Sequence, residues 1–275
     1  MTDLNASGKE MPFVQHLLEL RDRLLKMILA IILILLVLMP FANDLFSLLA
    51  EPLLHLIDTP MIAIDVASPF FTPFKLTLVL SIFLAMPVIF YHLWAFVAPG
   101  LYQHERSMIL PLLVSSTFLF YLGMAFAYYV VFPLVFGFMI NMTPEGVEMM
   151  TDISRYLDFV LKLLFAFGIA FQVPIATIVL VRMGIVTPQT LADKRPHIIV
   201  GAFVIGMLMT PPDMISQTLL AVPIWLLFEI GLFLARTFGV KAETTTADKR
   251  KYPVISPKKM DSEIDRIEGK GDTKK

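Results

Sequence analysis

Thirty-three consecutive residues, Met108–Ile140, carry no formal charge, and this run constrains the fold more than any other feature of the chain. A helix needs about 20 apolar residues to cross a bilayer, where no water is present to satisfy a broken backbone. Comparable runs recur at Leu24–Phe41, Leu76–Ala98, Phe159–Val181 and Met214–Ala235, with a shorter one at Ile198–Met209. With 57% hydrophobic residues against 16% charged, the chain has too much apolar surface for a water-soluble domain to hide. An all-α integral membrane protein is expected.

The first run is preceded by Pro12–Lys26, in which Phe13, Leu17, Leu20 and Leu24 fall on one helical face and Gln15, Glu19, Asp22, Arg23 and Lys26 on the other. That pattern predicts an amphipathic segment over 1–23, lying at the membrane surface and leading into the first span. A charged flank before an apolar stretch also suits a signal peptide, but no small-residue cleavage pattern follows and further spans do, so the stretch reads as an uncleaved anchor. Residues 42–75 carry Asn43, Asp44, Glu51, Asp58 and Asp65, with prolines at 52, 60, 69 and 73, and read as a loop on the opposite side.

Pro87 predicts a kink in the second span. The surplus of the longest run is assigned beyond Pro133, giving a third span over Met108–Phe132 and a second outer segment over Pro133–Arg155. Gln172 and Pro174 fall near the middle of the fourth span. The next run, Ile198–Met209, reaches only about 18 Å, so it is a short span in thinned bilayer or half of a re-entrant hairpin. Residues 24–236 are expected to form a six-helix transmembrane domain, and the Lys-, Asp-, Glu- and Thr-rich tail over 237–275 reads as disordered. Leaving out that tail, eight Lys and Arg fall in the segments assigned to the starting side and three in those assigned to the other, which predicts a cytoplasmic location for both termini and the tail.

Catalytic signatures are missing. No phosphate-binding GxxxxGK[ST] loop, GxSxG elbow or HExxH helix occurs, there is no cysteine, and the histidines at 16, 55, 92, 104 and 197 are scattered, so no enzyme, metal or cofactor is implied. Ser81, Ser115, Ser116 and Thr177 lie in spans without a base beside them and read as bonding back to their own helices. A small-molecule secondary transporter is the rival reading, but such proteins mark their pathways with ionisable groups at mid-membrane. Here Lys162, His92 and Glu229 lie near span ends, and only the neutral Gln172 sits deep. Polarity gathers instead on the predicted cytoplasmic face, where His16, Glu19, Arg21, Arg23, Gln103, His104, Glu105 and Arg106 come from two separate segments. Carboxylates there suit a guanidinium ligand, or else pair locally, as the i,i+4 spacing of Glu19 and Arg23 allows.

Four stretches, HLLELRDRLL from His16, DVASPFFTPFKLT from Asp65, WAFVAPGLYQHER from Trp94 and KRPHIIVGAFVIGMLMTPPDMISQTLLAVP from Lys194, resemble TatC, the polytopic subunit of the twin-arginine protein translocase; the likeness covers about residues 12–238. The resemblance implies a cupped six-helix bundle in the inner membrane that receives folded proteins carrying twin-arginine signal peptides. It also implies assembly in several copies with TatA and TatB, and transport driven by the proton gradient. A signal-peptide site is implied at Glu19, Arg21, Arg23, Phe96, Leu101 and Glu105, partner-helix contacts at Gln172, Met207, Thr210, Asp213 and Gln217, and functional outer-loop positions at Pro52 and Phe70. Where many relatives carry Glu in the fourth helix this chain has Gln172, which keeps the shape and loses the option of a charge.

Overall fold

The computed structural model describes residues 7–54, 60–97, 109–144, 146–147, 150–209 and 214–238. Helix α1 runs unbroken over Ser7–Leu38, so the amphipathic segment and the first apolar run share one axis. A single 3-10 turn at Met39–Phe41, with Pro40 in its first positions, leads into α2, Ala42–Leu54. This part of the expected loop is therefore helical. Leu45, Leu49 and Leu53 recur on one face of α2 and pack into the core, a periodicity that Asp44, Glu51 and Pro52 on the other faces disguise in the sequence.

Proline explains the remaining breaks. Helices α3, Ser68–Leu84, and α4, Met86–Val97, form a pair bent by 46° just ahead of Pro87. Without an N–H, Pro87 deprives the Phe83 carbonyl of its helical donor, and the Tyr121 hydroxyl donates to that oxygen at 3.2 Å instead. Helix α5, Ile109–Phe126, passes through a π turn at Ala127–Val131 into α6, Phe132–Asn141, so the chain stays helical past Phe132, where the third span is expected to end. In a regular helix the Pro133 ring would strike the Tyr129 carbonyl. The wider turn, in which the Phe132 N–H reaches back five residues to Ala127, carries the chain past that point. Helices α7, Ile153–Ala170, and α8, Val173–Arg182, part at Phe171 and Gln172, immediately before Pro174. The short α9, Pro188–Asp193, then leads to α10, Arg195–Met209, and α11, Met214–Phe238. The predicted disordered tail lies, from residue 239 onward, outside the described residues.

Leu17–Glu51, Leu110–Asn141, Ile153–Arg182 and Gln217–Thr237 are long and apolar enough to cross a membrane, and the bent pair α3 and α4 makes a fifth such stretch; Arg195–Met209 is apolar but shorter. Among the described residues there is no strand, only an isolated bridge between Ile62 and Asp152. The core lies where α3, α5, the π turn and α7 meet, with Phe83, Phe120, Phe132, Tyr156, Leu157 and Phe167 each at most 2% exposed. Helices α5 and α7 approach closely because side chains are absent at the crossing. A Cβ on Gly123 would sit 2.6 Å from the Phe167 carbonyl oxygen, and one on Gly168 would sit 2.6 Å from the Phe120 ring. In α1, by contrast, no residue over 17–38 is buried.

Candidate functional site

Arg23 ties α1 to α4. One guanidinium nitrogen, Nη1, donates to the His92 carbonyl oxygen at 3.1 Å, and the other, Nη2, pairs with the Glu19 carboxylate one turn back on α1. The Arg23 side chain is 19% exposed and that of Glu19 43%, so the cation is wedged between the helices while the carboxylate still faces outward. Phe96 lies one turn beyond His92, half-buried at the end of α4. Glu19, Arg23 and the Phe96 end of α4 are thereby brought together. Arg21 points elsewhere, forking onto Asp22 at 2.7 and 2.9 Å. Leu101 and Glu105 fall within 98–108, outside the described residues. The Glu19–Arg23 pair at this exposure contributes less than about 1 kcal/mol.

A partly buried polar node joins α4, α5 and the break between α7 and α8. Gln172, at the break between α7 and α8, donates its amide Nε2 to the Ser116 carbonyl oxygen in α5 at 3.0 Å. The Ser116 hydroxyl in turn accepts the Trp94 indole N–H from α4 at 2.9 Å. Ser81 and Thr177 do bond back to their own helices, at Leu78 and Val173, but Ser116 serves three elements at once. The Gln172 amide thus makes its bond inside this chain.

Helix α10 buries only Ala202 and Gly206 and leaves Val200, Val204, Met207 and Leu208 exposed. Gln217 on α11 donates Nε2 to the Phe203 carbonyl oxygen at 2.8 Å, and a Cβ on Gly206 would lie 3.1 Å from the Gln217 carbonyl oxygen. Thr210 and Asp213 are outside the described residues. At the far end of the bundle, Phe70 is exposed with its ring edge-on to Phe71 at 5.2 Å, and Pro52 lies in α2. Asp152 is buried there. Its Oδ1 caps α7 by accepting the Ser154 and Arg155 N–H groups, and its Oδ2 accepts the Ile64 N–H at 3.1 Å. The Arg155 and Ile64 N–H groups hold this carboxyl below its usual range, against the opposing effect of burial.

The model of one protein family, Sec-independent protein translocase protein (TatC), matches residues 15–223. The chain belongs to the TatC family. It is 57% identical over 229 residues to TatC of Escherichia coli strain K12, covering 82% of this chain and 89% of that protein. It is 54% identical over 255 residues to TatC of Azotobacter chroococcum mcd 1, covering 92% of this chain and all of the relative. A crystal structure described as the twin arginine translocase receptor TatC superposes with a TM-score of 0.74 at 40% identity, over 81% of this chain and 98% of that one. TatC membership and the apolar helices together make this a multi-pass membrane protein with a role in protein transport rather than catalysis.

Two features of this TatC chain escaped sequence reasoning. Arg195, at the start of α10, forks onto Glu229 of α11 with Nε–Oε1 at 2.6 Å and Nη2–Oε2 at 2.8 Å. A lone acid in an apolar run was the available signal, but its place near a span end does not name a partner. The Trp94–Ser116 bond had none, since a serine among apolar residues does not announce its partner.

Proposed function

We propose that this chain is the signal-peptide receptor and core subunit of a twin-arginine translocase in the inner membrane. The observation that carries the reading is the Glu19 carboxylate, exposed toward solvent and steadied by an Arg23 that is itself anchored on α4 beside Phe96. Two adjacent arginines of a signal peptide present planar guanidinium forks, for which a positioned carboxylate is a better acceptor than water or lipid; lysine offers only a point charge. Glu105 supplies the second carboxylate, with Arg21 and Leu101 lining the approach. In this reading six segments cross the membrane with both termini cytoplasmic, TatA and TatB pack their helices against Gln172, Met207, Thr210, Asp213 and Gln217, and the outer face uses Pro52 and Phe70. Several copies assemble, and the proton gradient drives export.

The test is retention of the detergent-solubilised protein on a twin-arginine signal peptide and on its twin-lysine variant. Retention at least tenfold stronger on the arginine peptide is expected, falling in Glu19→Gln and in Glu105→Gln, with the double variant less than additive because both acids hold one arginine pair. Equal retention on both peptides would reject the receptor role.

A further inference from the structure

Over residues 27–181 the sequence contains four cations, Lys75, Arg106, Arg155 and Lys162. Three of them meet on one seam. Lys75 of α3 pairs with Asp158 of α7, and Asp158 lies three residues after Arg155 and four before Lys162, so all three α7 groups share a helical face. The Lys75 and Asp158 side chains are 51% and 44% exposed, and Arg155 and Lys162 are exposed as well. Neither Arg155 nor Lys162 forms an ion pair among the described residues. Asp152 keeps its charge and attracts Arg155, but it is buried, with its oxygens taken by backbone N–H groups at the start of α7; Asp65 accepts from the Ala67 N–H ahead of α3. Within α3 and α7 themselves, three exposed cations face one carboxylate, Asp158.

Directly along the same faces the surface turns apolar. Phe165 and Ile169 continue the α7 stripe, and Phe71 and Leu78 flank Lys75 on α3; all four are exposed. Phe165 is held flat against Phe83 of α3, with ring centroids 6.3 Å apart and planes inclined by 14°. Two exposed cations at one end of a lipid-facing apolar seam match the two halves of a single molecule, a phosphate head group and an acyl chain. We infer that the seam between α3 and α7 binds an anionic phospholipid, its phosphate on Arg155 and Lys162 and one acyl chain along Phe165 and Ile169. A zwitterionic lipid brings its own cation to the patch and is bound less well.

The test is native mass spectrometry of the full-length protein in micelles doped with phosphatidylglycerol or phosphatidylcholine. Preferential retention of phosphatidylglycerol is expected. Arg155→Gln and Lys162→Gln should each lower it about fivefold and the two together about thirtyfold, with phosphatidylcholine unaffected. Asp158→Asn should raise it, because Lys75 is then released to the patch. Raising the salt concentration on the unaltered protein provides a check that needs no substitution: phosphatidylglycerol retention should fall. Equal retention of the two lipids by the unaltered protein, undiminished phosphatidylglycerol in the double variant, or indifference to salt would each overturn the site.

Discussion

Gln172 donates from its side-chain amide to a carbonyl that belongs to another helix, and the consequences of changing it follow from that direction. Gln172→Leu removes the bond and should lower stability in mild detergent by about 1 kcal/mol. A glutamate carboxylate there has no hydrogen to offer and sets its oxygens against the Ser116 carbonyl oxygen. Gln172→Glu should therefore melt below the parent at neutral pH; equal melting would show that the side chain has turned away. Asp152 responds to pH. Its carboxyl is held below the usual range in the folded protein, so its contribution is complete above the ordinary carboxylate value and disappears as pH falls through that range to the lowered one. Between pH 7 and pH 3, the parent should lose more melting temperature than Asp152→Asn, which does not titrate and already lacks an acceptor for the Ile64 N–H. At this scale the Glu19–Arg23 spacing was legible in the sequence, whereas the acceptors at His92 and Ser116 were not, because a backbone oxygen carries no residue signature.

Among the elements, α10 leans mainly on α11, through the Arg195–Glu229 fork, the Gln217 bond to the Phe203 carbonyl oxygen and the close approach at Gly206. With little of its surface buried, it is tied at its first residue to α11 through the forked pair Arg195–Glu229, whose side chains are 41% and 27% exposed. Removing either partner leaves the other without its forked hydrogen bonds, so Arg195→Gln and Glu229→Gln should each lower the unfolding midpoint. Replacing both with Leu should cost less than the sum, as read from a double-mutant cycle of unfolding midpoints; strict additivity would mean that the fork is incidental. Elements were readable where length and apolarity coincide, which is why the runs around α1, α5, α7 and α11 were found. Pro133 was misjudged as an end because the remedy, a π turn, is a backbone adjustment that any residues can adopt. Helix α2 was missed because its core-facing leucines are interspersed with loop-favouring residues.

For the molecule as a whole, the number and order of the apolar runs were legible, but not which of them form the core, since a run that is apolar all round does not reveal its packed side. Cysteine-free sequence makes the threading easy to test. Val66, 98% exposed between α2 and α3, and Ile185, 60% exposed between α8 and α9, lie on opposite sides in the six-span arrangement. A cysteine at Val66 should react with an impermeant maleimide in intact cells, and one at Ile185 only after lysis; labelling of both in intact cells would refute that arrangement. The unburied apolar stretch of α1 bears on a different matter, the timing of assembly. As the chain is made, α1 precedes α3 and α4, the helices it later leans on. A helix whose side chains are already suited to hydrocarbon all round can wait in the bilayer without exposing anything that a chaperone would have to cover. The interior helices, closed around Gly123 and Gly168, make their close contacts only when their neighbours arrive.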